Sequence, residues 1–218
     1  MKEYSKSKIT KMKLINAAGE IVINEGLHAL TVRAVAKQAG EQINSVHYHF
    51  GGKEGLYMET VRYAVSEWVE YNWSAYVKRN IDLFSTLSGK VKVIKDLVDI
   101  HFRLVFLSEK PSWCLHLLNT SMQVPGDGRD YILENFGNAH YRMLQKVYKL
   151  IIPEGSISDA HMWAMFFMAP FLHATIFLPH TLMAPHFKMS GTKYFPRLKS
   201  YLLRIYLLSL NLPSDLDK

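Results

Sequence analysis

Apolar positions along the chain recur at three- and four-residue steps for most of its length, and almost nowhere alternate. Ile9, Met12, Ile15, Ala18, Ile21 and Val22 set the first such run, a spacing that places them on one face of a helix. Gly26 ends it. Thr31 stands where a hydroxyl can accept from a backbone N–H two or three residues on, so it is expected to cap a short helix over residues 32–39 with Val35, Ala36 and Ala39 inward. Gly40 marks a turn, a second short helix is expected over 42–49, and Gly51-Gly52 breaks the chain before a helix beginning at Lys53. The periodicity then continues through Leu56, Val61, Val65 and Trp68, predicting one long helix toward Tyr76.

Beyond it, residues 85–89 read as a loop and 91–107 as a helix, which Glu109-Lys110-Pro111 ends because proline disfavours helical geometry in the residue before it. Helices are expected over 112–122, 129–151, 158–178 and 193–210. Pro125-Gly126-Asp127-Gly128 and the stretch 179–191, with Pro179 and Pro185, are expected as loops. There is no internal repeat and no convincing strand pattern. The expectation is an all-α chain: a helix-turn-helix head over residues 1–65 and a helical body over 66–218.

Composition narrows this. The chain has 218 residues, 49% of them hydrophobic, enough for a sizeable core. Net charge is +7, and the first thirteen residues supply +4 of it, with Lys2, Lys6, Lys8, Lys11 and Lys13 against Glu3. A basic arm of this kind is the footprint of a phosphate backbone or an anionic surface, or else a solvated terminus. Cys114 is the only cysteine, so no internal disulfide can form, which suits a reducing, cytoplasmic location. The amino terminus has no apolar core of a signal peptide. The most apolar run, residues 162–178, is interrupted by Pro170 and His173 and sits at the short limit for a membrane span, so a buried helix is the expectation.

The informative stretch is LTVRAVAKQAGEQINSVHYHFGGKEGLY, residues 30–57. Two short helices joined at Gly40 have the helix-turn-helix layout, in which the second helix enters the major groove. Small Ala36 and Ala39 permit close approach, and Val46 and Phe50, four apart, can anchor the second helix. Its other face carries Gln42, Asn44, Ser45, His47 and Tyr48, all able to hydrogen-bond; Gln and Asn suit an adenine edge. Lys53 opens the next helix, where its charge and free N–H groups favour a phosphate. Ile43 fits either a thymine methyl or the core.

This stretch resembles the amino-terminal domain of the TetR family of bacterial regulators, over about residues 9–65. The run from Tyr48 through His49, Phe50 and Lys53 to Leu56 is similar to that family's Y-x-F-x-x-K-x-x-L signature, and Thr31, Ala36 and Ala39-Gly40 fall in step with it. The resemblance implies that Thr31, Tyr48 and Lys53 contact phosphates, that Gln42, Asn44, Ser45 and His47 face bases, and that Arg33 and His49 belong to the same DNA-binding set. It further implies a homodimer on a palindromic double-stranded operator and a small-molecule effector that releases the DNA, hence a repressor, with no cofactor. The departures are Glu41 after the turn glycine, where an apolar residue is usual, Asn44 in place of a frequent glycine, and His47 in place of a frequent tyrosine. Glu41 adds charge near DNA, either to meet a cytosine amino group or merely to trim affinity.

The body matches that family in architecture only. Among its apolar helices stand His101, Arg103, Phe106, Trp113, His116, Asn119, Trp163 and Phe167, with Met143, Met162, Met165 and Met168 as adaptable packing. Apolar walls with few polar groups are what an effector pocket needs, although each residue fits plain core as well. The helices at 158–178 and 193–210 are the expected dimer faces, the latter through Tyr194, Leu198, Tyr201, Leu202, Ile205 and Leu208. An enzyme is not expected: no G-x-S-x-G elbow, phosphate-cradling glycine loop or H-E-x-x-H is present. His173, His180 and His186 are poorly spaced for zinc, and Cys114 and His116, two apart on a helix, point different ways. A DNA-binding protein without an effector, architectural or controlled by a partner protein, is the competing expectation.

Overall fold

The computed structural model describes residues 2–183 and 191–214, and side chains over 6–173 and 193–214. Every regular element among the described residues is helical. Eleven α-helices follow in order: α1 (Lys2–Glu25), α2 (Val32–Ala39), α3 (Ile43–Phe50), α4 (Lys53–Glu70), α5 (Trp73–Arg79), α6 (Leu87–Phe106), α7 (Trp113–Gln123), α8 (Asp127–Ile132), α9 (Asn138–Ile151), α10 (Ile157–Met183) and α11 (Gly191–Ser209). They divide into two compact units: Met1–Glu70 with Glu109–Asn135, and Tyr71–Ser108 with Phe136–Lys218.

In the first unit, α1 turns Leu14, Ile15, Ala17, Ala18, Ile21 and Val22 inward, all buried. It packs on α2, α4 and α7. The contact with α7 depends on Gly19, where a Cβ would come within 2.1 Å of the Trp113 ring. Only a residue without a side chain lets the indole lie on the helix backbone at that point. Tyr57 of α4 donates its hydroxyl proton to Ser121 of α7 at 3.1 Å, or accepts from it.

In the second unit, α6 packs on α10 and α11, and α9 on α5 and α10; Val93, Ile94, Leu97, Val98 and Phe102 of α6 are buried, as are Leu144, Val147, Ala164, Phe167, Phe171, Leu202 and Tyr206 of the helices that follow. Tyr206 donates its hydroxyl to the Phe167 carbonyl at 2.9 Å, and Trp163 Nε1 donates to Ser209 at 3.0 Å, so α10 and α11 are joined by polar as well as apolar contact.

Four sequence expectations change. The helix from Lys53 stops at Glu70 instead of running to Tyr76, because the Asn72 side chain accepts from Ala75 N at 2.9 Å and starts α5 anew. The stretch expected as a loop at 85–89 holds the cap of α6: Thr86 Oγ1 accepts from Gly89 N at 3.0 Å and the helix begins at Leu87. The single helix expected over 129–151 begins at Asp127 and is interrupted by a π-helical turn, Leu133–Gly137. Finally, α10 continues to Met183, past the proline expected to end it; Pro185 and His186 lie outside the described residues.

The apolar run 162–178 is also less enclosed than expected. Met162, Met165 and Phe166 are 59%, 53% and 47% exposed. Among the described residues no helix is long and apolar enough to cross a membrane.

Candidate nucleic-acid interface

Local rules fix the backbone of the head. Thr31 is extended, and its Oγ1 accepts from Ala34 N at 3.1 Å, capping α2. Because the cap uses an acceptor lone pair, the hydroxyl proton remains to donate outward. Gly40 closes α2 at φ 65°, a left-handed conformation that a side chain would strain. Glu41 N then donates back to Ala36 O at 2.9 Å, the long-range bond of a Schellman close. Two residues later α3 begins, with Gln42 at its N-cap position making no side-chain capping bond.

Helix α3 has one inward anchor. Val46 is fully buried, and Phe50 is half-buried. Gln42, Asn44, His47 and Tyr48 are exposed, Tyr48 at 82%; Ser45 and His49 are half-buried. His49 stands edge-on to Tyr48 at 5.0 Å and tilted to Phe50 at 6.0 Å. Ile43 is 42% exposed, so it is not core. Arg33 of α2 and Lys53 at the first position of α4 are exposed. Arg33, Ala36, Lys37, Glu41, Gln42, Ile43 and Asn44 line a shallow open hollow along the α2–α3 turn.

The basic arm is divided in its roles. Lys6 and Lys8 are exposed on α1. Lys11 instead binds Glu59 of α4 at 2.7 Å, and Lys13 binds Glu41 at 3.1 Å. The Lys11 hydrogen bond, opposed by partial burial and aided by Arg62, holds the Glu59 carboxyl below its ordinary pKa.

This segment matches a known protein family in sequence. Residues 14–60 match the family model described as bacterial regulatory proteins, tetR family. These residues carry the amino-terminal domain of the TetR family. The chain is 28% identical over 94 residues to the HTH-type transcriptional regulator BetI of Vibrio parahaemolyticus, covering 43% of this chain and 40% of that protein. It is 37% identical over 54 residues to BetI of Vibrio atlanticus, covering 25% and 27%. The match thus spans well under half the length of these curated relatives. In fold, it is similar to a transcriptional regulator from Rhodococcus (TM-score 0.57, 20% identity, 91% of this chain and 96% of that one). It is similar also to a TetR/AcrR-family regulator from Thermobifida fusca (TM-score 0.50, 16% identity, 88% and 96%).

The body residues singled out from the sequence fall in both units. Trp113, His116 and Asn119 belong to the first. Trp113 is buried on Gly19 with Tyr63 5.8 Å away, and its indole N–H has no hydrogen-bond partner; His116 and Asn119 are half-buried. His101, Arg103, Phe106, Trp163 and Phe167 belong to the second. Arg103 is exposed and Phe106 half-buried beside Phe102 at 4.5 Å, whereas His101, Trp163 and Phe167 are buried. His173 of the most apolar helix is exposed. The side chain of His180 lies outside the described ones.

Around His101 the structure assembles a group that sequence reasoning missed. His101 Nε2 and His140 Nε2 are 2.8 Å apart, and His101 Nδ1 is 2.6 Å from the Leu97 carbonyl. A carbonyl only accepts, so His101 carries its proton on Nδ1 and its Nε2 accepts from His140 Nε2–H. Both rings are fully buried, and burial drives both pKa values down, that of His101 to about 4. Trp73, Phe136, Phe167 and Phe171 pack on the pair at 4.3–5.3 Å. The signal for His140 was present in the sequence: it precedes Met143, Leu144 and Val147 at helical spacing, a polar residue on an apolar face.

Proposed function

We propose that the chain is a transcription regulator that binds a palindromic operator as a homodimer and is released by a small molecule. The observation that carries DNA binding is the sidedness of α3. One residue, Val46, is sealed into the head, while Gln42, Asn44, His47 and Tyr48 stand in solvent with donors and acceptors unspent. A solvated helix face alone would not need that concentration of base-competent groups. In this reading Gln42, Asn44, Ser45 and His47 meet base edges, and Thr31, Arg33, Tyr48, His49 and Lys53 meet the backbone, with Thr31 donating the proton its cap leaves free and Lys53 adding charge to the N-terminus of α4.

Dimerisation is supported by the exposed face of α10. Met162, Met165 and Phe166, with Tyr201 and Leu208 of α11, are apolar and 47–65% exposed. A two-fold contact through two helices from each copy would cover them. The effector site is supported by the His101–His140 group, in which neutral imidazoles stand among aromatic rings, a composition suited to a mostly apolar molecule bearing a hydrogen-bonding group. In that site His101 and Phe167 are contacts, with Trp163 and Phe106 at its margin.

Selection of duplexes from a random pool, followed by affinity measurements, tests the reading. A two-fold symmetric site should emerge, and Tyr48→Ala with Lys53→Ala should abolish the preference for it. Enrichment of no sequence, or unaltered binding by the double variant, defeats the DNA-binding reading. Sedimentation of Phe166→Glu should show dissociation to a monomer. A thermal-shift screen of aromatic and lipophilic compounds should find a stabilising ligand whose shift is lost in His101→Leu; a screen without one favours a regulator controlled by other means.

A further inference from the structure

The turn between α2 and α3 consists of Gly40, Glu41 and Gln42, and Thr10 and Lys13 of α1 both bind its Glu41 side chain. The backbone leaving α2 is set by Gly40 and by the bond from Glu41 N to Ala36 O. From there the Glu41 side chain is largely covered, at 19% exposed, and its Oε1 accepts from Lys13 Nζ at 3.1 Å and, more weakly, from Thr10 Oγ1 at 3.4 Å. Thr10 and Lys13 are three apart on α1 and therefore share a face. We infer that Glu41 is a positioning residue for the recognition helix, and that its clasp on Lys13 and Thr10 sets how well the chain discriminates operator from random DNA. This rests on the DNA-binding reading above.

The clasp acts in two ways. An apolar side chain at this position would hold the turn by contact that has no direction, whereas an ion pair with a hydrogen bond fixes both distance and angle. Gln42 and Asn44 follow within three residues, both exposed. Hydrogen bonds to base edges weaken steeply with misalignment, while charge contacts to phosphate tolerate it. Loss of the clasp is therefore felt at bases before it is felt at the backbone. Secondly, Glu41 occupies a lysine that is 54% exposed. Freed, Lys13 becomes one more cation for a phosphate, strengthening binding to any sequence and steepening its salt dependence by about one unit. Both effects lower the ratio of specific to random affinity. Glu41 thus neither meets a base nor merely trims affinity; it holds a lysine back and a turn in place.

The test measures affinity of the full chain for its selected operator and for random duplex at two salt concentrations, with thermal melting alongside. Glu41→Gln should reduce the ratio about tenfold and steepen the salt dependence on random DNA. Lys13→Met should reduce the ratio without that steepening. The exchange Glu41→Lys with Lys13→Glu should recover discrimination relative to either single variant, which a loss of general stability would not do. Should Glu41→Gln melt early, Lys13→Met, altered at a more exposed side chain, decides. Ratios equal to wild type in both single variants overturn the inference, as does an exchange variant that folds but recovers nothing. A wild-type chain that selects no operator overturns the DNA-binding reading itself and the inference with it.

Discussion

The α3 face and the His101–His140 group both collect histidines and hydrogen-bonding side chains, yet they are opposites. On α3, His47 stands in solvent beside Asn44 and Tyr48, and one apolar residue, Val46, holds the helix. In the second unit, His101 and His140 are sealed among Trp73, Phe136, Phe167 and Phe171, and each ring's proton has a determined place. A polar group in water is free to exchange partners, which suits recognition of an incoming surface. One in the core must be satisfied where it stands, and its protonation then becomes part of folding. Substitutions at the two places should separate accordingly, the first altering DNA binding at constant stability and the second altering stability.

The largest effect is expected from Phe167→Ala, which leaves a cavity beside His101 and should cost about 3–5 kcal/mol in chemical denaturation. A loss under about 1 kcal/mol would mean that the group is loosely packed and the contrast overstated. Next is acid. Burial lowers the His101 pKa from 6.5 to about 4, so the unfolded chain binds a proton that the folded chain refuses. Its contribution is whole above about pH 6.5 and falls away as pH drops toward 4, by about 3 kcal/mol for this one group. His140, shifted the same way, adds to the loss. Unfolding titrations at pH 7 and pH 4 measure it, and His101→Leu should flatten the dependence.

Asn44→Ala should shift base preference at one operator position by about 1–3 kcal/mol while leaving the melting temperature unchanged; equal losses on operator and random DNA would remove Asn44 from the reading set. The smallest effect joins the two classes. Thr31→Val removes the bond to Ala34 N and should lower stability by about 1 kcal/mol, measured by thermal unfolding, and weaken operator binding as well. Thr31→Asp should restore the cap but not the binding, since a carboxylate repels phosphate.

The head was legible because its signals are local. A cap hydroxyl at Thr31, a turn glycine at Gly40, small residues at Ala36 and Ala39, and an anchor at Val46 each act within a few residues of themselves, so order along the chain suffices to place α2 and α3. Other local signals were present but quieter: Asn72 and Thr86 start α5 and α6 by the same bond that Thr31 makes, inside stretches whose periodicity suggested otherwise.

The sequence by itself determined the all-helical character, the helix-turn-helix and the outward side chains of α3, because repeat spacing and capping are properties of neighbouring residues. Only the tertiary structure decided that Glu41 turns inward to Lys13, that His101 meets His140 from 39 positions away, and that Met162, Met165 and Phe166 of the most apolar helix face out. Each of those depends on which helix lies against which, and a contact between distant segments is set by the packing of the whole unit, not by the composition of either partner.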